Sequence, residues 1–282
     1  MTDLLVTGSH GQLGDALLAE AARRGLDAAG HDVDTLDITD PAAVLELAER
    51  LRPRAIVNCA AMTAVDACEK DAERAMAING EAVGHLARAA DGVGALLVQI
   101  STDYVFPGTG RRPYREDDPT APLGVYGRSK LLGEHRAAEA AEHLIVRTAW
   151  LFGRGHNFVE AIRRQLERGV PELRVVADQT GSPTSACDLA AAILDLIEAG
   201  ARGIVHAVNG GFTTWHGFAV EIVRRLGHDT PVVPISTAEA GRPAPRPAWS
   251  VLDTSRLKAL TGRGMPSWQD ALARYLEGQC GS

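Results

Sequence analysis

Cysteine is scarce and unpatterned. The four present, Cys59, Cys68, Cys187 and Cys280, form no CxxC pair, which excludes a zinc ribbon and a thioredoxin-type dithiol. Scattered in this way, they read as free thiols of a reducing compartment. The nine histidines include no HxxxH or HExxH spacing, so no metal site is expected. No long basic run occurs and the formal net charge is −7, which gives no electrostatic reason to expect nucleic acid or an anionic membrane as a partner. Long apolar runs are missing too. The opening "MTDLLVTG" has no basic segment and reaches glycine after a short apolar stretch, so neither a signal peptide nor a membrane span is expected, and the cytoplasm is the expected location.

What is there is an ordinary globular composition, 45% hydrophobic and 23% charged over 282 residues, long enough for a main domain with a smaller lobe. Short apolar runs alternate with helix-period segments. "LLVTG" (4–8), "AIVNCAA" (55–61), "ALLVQIS" (95–101) and "LIVRTAWLFG" (144–153) read as buried strands. Between them, "QLGDALLAEAARRG" reads as a helix stopped by Gly25, and "DITDPAAVLELAERLRP" as one capped by Asp40 with Pro41 in its first turn. Continuous apolar strands separated by helices imply βαβ units and a parallel sheet covered on both faces. The expected fold is therefore α/β, a doubly wound Rossmann-type sheet with a smaller C-terminal substrate lobe closing a cleft at the strand ends. The first domain is expected over residues 1–170 and the lobe over 171–282, with 186–210 returning to the first domain.

"TGSHGQLG" sets Gly8, Gly11 and Gly14 between the first strand and the first helix. A pyrophosphate needs glycine there, because the backbone must turn tightly and approach it closely while the helix N-terminus offers free N–H groups. Asp32, in "LDAAGHD", lies at the distance of an acidic residue that meets the adenosine ribose; it reads equally as a solvated loop carboxylate. Asp37 and Ile38 are candidates to flank the adenine.

Ser101, Thr102 and Asp103 end the "ALLVQIS" strand, and carboxyl ends of such strands are where ligands bind. A hydroxyl there can donate to a developing oxyanion. Tyr126 and Lys130, in "YGRSK", stand four residues apart and so face the same side of a helix. An ammonium beside a phenol lowers its pKa from about 10 and makes it a usable acid.

Taken together, "TGSHGQLG", "VNCAAMTAVDACE", "STDYVFPGTG", "YGRSKLLGE", "RTAWLFG", "DQTGSPT" and "RPAWSVLD" resemble, in order, the motifs of the extended short-chain dehydrogenase/reductases. Within that family the chain is most similar to the branch that reduces the C4 keto group of dTDP-4-keto-6-deoxyhexoses, dTDP-4-dehydrorhamnose among them. The resemblance implies Thr102, Tyr126 and Lys130 as the catalytic set, NADPH or NADH as cofactor, and a nucleotide-sugar substrate. It implies dinucleotide contacts from Gly11, Gln12, Leu13, Asp37, Ile38, Ala61, Met62 and Thr63, beside Gly8, Gly14 and Asp32 of the glycine-loop reading. Substrate contacts are expected from Thr102, Asp103, Trp150, Gln179 and Arg246, with Arg242 an alternative to Arg246 for the diphosphate. Some family members dimerise around magnesium through an acidic residue two positions after the third glycine. Ala16 stands there, so a monomer or a metal-independent homodimer is expected. A sister 4-ketoreductase, a sugar-nucleotide epimerase and a non-catalytic regulatory subunit are the rival readings; retention of both Tyr126 and Lys130 speaks against the last.

Overall fold

A buried strand followed by an amphipathic helix, repeated, produces the layered architecture seen in the computed structural model, which describes residues 2–279. Strands β1 (Leu4–Thr7), β2 (Ala28–His31), β3 (Ala55–Asn58), β4 (Leu96–Thr102) and β5 (His143–Thr148) alternate with helices α1 (Gln12–Arg23), α2 (Pro41–Leu51), α3 (Val65–Lys70), α4 (Ala72–Met76), α5 (Ala82–Val93) and α6 (Val125–Ala137). The short strands β6 (Leu151–Phe152), β7 (Leu173–Val176), β8 (Thr180–Gly181) and β9 (Thr184–Ser185) follow, with α7 (Phe158–Glu167) after β6. Then come α8 (Ala186–Glu198), β10 (Gly203–His206), β11 (Thr213–Thr214), α9 (Trp215–Arg225), β12 (Val232–Ile235), α10 (Thr237–Ala240), α11 (Ser255–Thr261) and α12 (Trp268–Leu276).

Six parallel strands run in the order β10-β5-β4-β3-β1-β2. Strand order reverses at β1, which opens a crevice at the carboxyl ends of β1 and β3. Both sheet faces are buried, which is why the strands read as unbroken apolar runs. Leu4 and Val6 pack with Leu13 and Leu17 of α1 and Leu189 and Ile193 of α8. Leu5 and Ile56 point the other way, toward Leu47 of α2 and Leu86 of α5. Asp40 caps α2 by accepting from the Ala42 and Ala43 amides.

A third core builds the lobe from Phe152, Val159, Ile162, Leu173, Phe218 and Leu272. It takes in residues that precede 171, whereas α8 packs on α1 and β10 pairs with β5.

One local reading needs correction. The apolar run 144–153 is not one strand. It stops at Thr148, turns at Trp150 with a left-handed φ of 45°, and resumes as β6, paired with β9 rather than with the main sheet. The helical segment 72–93 contains a π-turn over Ala77–Glu81. Cys59 and Cys68 are free thiols, but Cys187 is disulfide-bonded, which corrects the expectation of free thiols throughout. Cys280 lies outside the described residues.

Candidate active site

The glycine loop forms a cradle that side chains would fill. Gly8 has a φ of +66°, and a Cβ on it would lie 2.5 Å from the Ala60 amide nitrogen at the exit of β3. A Cβ on Gly14 would lie 2.2 Å from the Gly8 carbonyl oxygen, so α1 packs directly on the loop. Gly11 is the N-cap of α1, with no side chain covering the free amides. Gln12 and Leu13 open the helix; Leu13 is buried, and the buried Oε1 of Gln12 has no hydrogen-bond partner. An open helix N-terminus and backbone-lined walls fit a dinucleotide pyrophosphate, and the orphaned amide oxygen of Gln12 is an acceptor left for an O–H or N–H of a neighbouring group.

Asp32 follows β2 and meets the loop: its carboxylate accepts from the His10 amide at 2.8 Å and from the Val33 amide at 2.8 Å. Asp37 is exposed, and the Thr39 hydroxyl and amide that it accepts from hold its pKa down. Ile38 is buried in the core and passes its carbonyl to His85. Ala61, Met62 and Thr63 lie in the loop leaving β3. That loop is fixed by Asn79, which accepts from the Met62 amide (2.7 Å), donates to the Met62 carbonyl (3.0 Å) and reaches the Ser129 hydroxyl on α6. Asn79 sits in the π-turn, and sequence reading missed it; a polar residue inside an apolar helical stretch was its only signal.

Thr102 ends β4, in register with Thr148 of β5. Its hydroxyl donates to Asp103 Oδ1 at 2.9 Å and accepts from the Tyr104 amide at 3.2 Å. Asp103 is buried, with Oδ2 unpartnered. Burial pushes its carboxyl up to about 7, against the Ser250 and Thr102 hydroxyls. Tyr126 stands in the first turn of α6, whose N-terminus is capped by Glu69 accepting from the Val125 amide at 2.6 Å. The Tyr104 ring meets it edge-on, centroids 5.5 Å apart.

Burial pushes the Tyr126 phenol above its ordinary value, and the Thr102 hydroxyl beside it is the group that opposes this. Lys130 points elsewhere: its buried ammonium donates to the Ile100 carbonyl at 2.6 Å. Burial lowers it to about 8, against the nearby Glu134 and Cys59. The expected lowering of the phenol by the lysine is therefore not what this geometry does.

The remaining candidates are placed as follows. Trp150 lies two residues past β5, its indole stacked on Trp215. Gln179 is buried in the lobe and donates to the Thr237 hydroxyl. Arg246 is held bidentately by Asp66 of α3 at 3.1 and 3.0 Å and also donates to the Ala244 carbonyl. Arg242 is far more exposed and lies 3.7 Å from the same carboxylate. Asp66 therefore ties the 242–246 loop to the first domain, a role that its place in "AVDACE" did not reveal.

With this geometry fixed, relatives decide the class. The family described as RmlD substrate binding domain matches residues 1–280. A dTDP-4-dehydrorhamnose reductase of Streptomyces griseus is 46% identical, over 98% of this chain and 94% of its own. This chain belongs to the dTDP-4-dehydrorhamnose reductase family. A crystal structure of a family member from Bacillus anthracis, in complex with NADP, superposes with a TM-score of 0.95 at 38% identity, covering 99% of this chain and 100% of that one. A protein of Streptomyces antibioticus named as a probable dTDP-4,6-dihydroxy-2-methyloxan-3-one 4-ketoreductase is 43% identical, over 95% of this chain and 92% of its own.

Ala16, at the position where some members of the family carry the metal-binding acid, is partly buried against the core. Its neighbour Asp15 lies 3.5 Å from Arg154. Among the described residues no group of three or more His, Cys, Asp or Glu is placed to hold a metal ion.

Proposed function

We propose that this chain reduces the C4 keto group of a dTDP-4-keto-6-deoxyhexose, dTDP-4-dehydrorhamnose to dTDP-rhamnose, with NADPH or NADH. The observation that carries the reading is the placement of Thr102 at the carboxyl end of β4 and Tyr126 in the first turn of α6, which packs on β4, with the Tyr104 ring between them in sequence and edge-on to Tyr126. The reduced nicotinamide, when bound, supplies hydride to C4. Thr102 turns its one hydroxyl proton from Asp103 Oδ1 to the C4 oxygen when the sugar binds. Tyr126 gives its proton to that oxygen as the alkoxide forms. A phenol held above its ordinary pKa stays protonated through the neutral range, as a reductase acid must. With one N–H donated to the Ile100 carbonyl, the Lys130 ammonium would use a remaining N–H on the nicotinamide ribose, and Gly8, Gly11, Gln12, Leu13 and Gly14 would hold the pyrophosphate.

The Streptomyces antibioticus relative supports a second reading, a sister 4-ketoreductase acting on another 4-keto sugar. The test is incubation with a panel of dTDP-4-keto sugars and each nicotinamide cofactor, with NMR identification of the product. An epimerase would show no net NAD(P)H consumption. The reading puts the chain in the cytoplasm.

Three expected outcomes follow from the site. Lys130 titrates near 8 because burial disfavours its charge. The ammonium is present below that pH and lost above it, so kcat/KM falls on the alkaline side with an apparent pKa near 8. Lys130→Met abolishes that limb and weakens cofactor binding; a mutant that keeps both limb and affinity removes Lys130 from the site.

Asp32→Ala removes a carboxylate suited to a ribose 2′-hydroxyl and hostile to a 2′-phosphate. A hydrogen bond to a charged group is worth about 1.5–3 kcal/mol, so the NADH-to-NADPH ratio of kcat/KM drops by roughly tenfold or more. An unchanged ratio returns Asp32 to the role of loop carboxylate.

A shared cation needs several hard oxygen ligands, and Ala16 offers a methyl group. EDTA and added Mg²⁺ leave the light-scattering mass and the activity unchanged. A reversible magnesium-dependent mass shift would overturn that reading of Ala16.

A further inference from the structure

Trp150 has a backbone that tryptophan does not choose. Its φ of 45° lies in the left-handed region, which bulky side chains enter only when their surroundings compel it. The compulsion comes from three directions. The Thr184 amide donates to the Trp150 carbonyl at 3.1 Å, fixing the peptide to β9. The Trp215 ring lies face to face with the indole, centroids 3.6 Å apart and planes 6° from parallel. Gly181 lies against the indole edge, where a Cβ would fall 2.5 to 2.8 Å from Cε2, Nε1 and Cζ2.

The two clamps share one piece of structure. Thr213 of β11 pairs with Gly181 of β8, and Trp215 follows β11 directly. Phe158 of α7 packs on the Trp215 ring, centroids 4.7 Å apart and planes tilted by 55°. This accounts for a glycine inside "DQTGSPT" that the proposed chemistry leaves unused. Both indoles stay partly exposed, so the stack ends at a surface rather than in the core. Trp150 sits just past β5, whose last residue, Thr148, is in register with Thr102.

We propose that Trp215 and Gly181 are positioning residues that hold the Trp150 indole as a fixed wall of the sugar subsite. The inference rests on the reductase reading above and adds to it the residues through which the C-terminal lobe sets sugar recognition. An indole fixed on one face and one edge offers a flat apolar surface to the C–H face of a 6-deoxyhexose, at little entropic cost because its rotamer is already chosen.

The test compares Trp215→Phe, Trp215→Leu and Gly181→Ala in the full chain, with dTDP-4-dehydrorhamnose and NADPH. Trp215→Leu keeps apolar volume but loses the plane, and KM for the nucleotide sugar rises about three- to tenfold, the scale of one aromatic contact. Its kcat stays within about threefold, and cofactor Kd, measured by titration without sugar, does not move. Trp215→Phe restores KM toward wild type, while Gly181→Ala raises it without touching Trp215. The coupled-indole signal in the far-ultraviolet circular dichroism of the wild type disappears in both Trp215 variants, which verifies the stack in solution. An unchanged KM in Trp215→Leu and in Gly181→Ala overturns the proposal, as does a parallel loss of cofactor affinity, the mark of a general disturbance of the fold. If Trp215→Leu fails to fold, Gly181→Ala decides alone. A wild type that reduces none of the 4-keto sugars offered would instead sink the reductase reading and the wall with it.

Discussion

Tyr126→Phe lowers turnover by roughly 10²–10⁴-fold, the usual worth of a positioned acid, and leaves cofactor affinity where it was. The substitution keeps the ring, its edge-on contact with Tyr104 and the first turn of α6, and removes only the phenolic hydroxyl. The alkoxide that forms at C4 is then left with the Thr102 hydroxyl and no acid. Because burial holds the phenol above its ordinary pKa, Tyr126 itself should not titrate across the neutral range. The alkaline limb of the wild type therefore belongs to Lys130, and in Tyr126→Phe the residual rate keeps that limb. Single-turnover oxidation of NADPH at several pH values measures both points. A mutant with more than half of wild-type turnover would take Tyr126 out of the mechanism.

Glu134→Ala costs about 3–5 kcal/mol of stability, as expected when one partner of a buried pair is removed. Glu134, on α6 one turn beyond Lys130, and Arg147, at the end of β5, are each about 3% exposed at the side chain. The guanidinium donates to both carboxylate oxygens at 2.8 and 2.7 Å, and the Ser101 hydroxyl donates to one of them. Arg147 also lies 5.0 Å from the Phe106 ring centroid and 3.5 Å from His206, which burial and the same guanidinium lower to about 3. A neutral imidazole is what allows that neighbour. Without Glu134 the arginine keeps its charge with no other carboxylate within ion-pair distance among the described residues. Urea unfolding of Glu134→Ala against Glu134→Leu/Arg147→Met separates the causes: the double variant, which buries no charge, should recover most of the loss. A single variant within about 1 kcal/mol of wild type would show that water reaches the pair.

Much of this was legible. Apolar runs at 4–8, 55–61 and 95–101 announced a sheet buried on both faces, and Asp40 with Pro41 announced the start of α2. The glycine loop was legible from its triplet set between a strand and a helix, not from the spacing alone. What stayed hidden depends on distant partners. Nothing in "LIVRTAWLFG" signals that Trp150 breaks the strand, because its left-handed turn is imposed by Gly181 and Trp215, both more than a helix away in sequence. The i+4 spacing of Tyr126 and Lys130 was read as direct coupling. The lysine is drawn instead to the Ile100 carbonyl at the end of the neighbouring strand, a contact no helical spacing encodes. Arg246 was read as a phosphate ligand from its residue type, and the carboxylate that holds it, Asp66, lies in the other domain. Asn79 needed the π-turn to aim it at Met62.

The place of β10 has a consequence for how the protein is made. The strand order puts β10 at one edge of the sheet, beside β5, yet α7, β7, β9 and α8 intervene in the chain. During synthesis, β5 leaves the ribosome with a bare row of N–H and C=O groups and keeps it until residues 203–206 emerge. The nascent sheet is then sticky for other strands, and translation arrested between α6 and β10 would release fragments prone to aggregate.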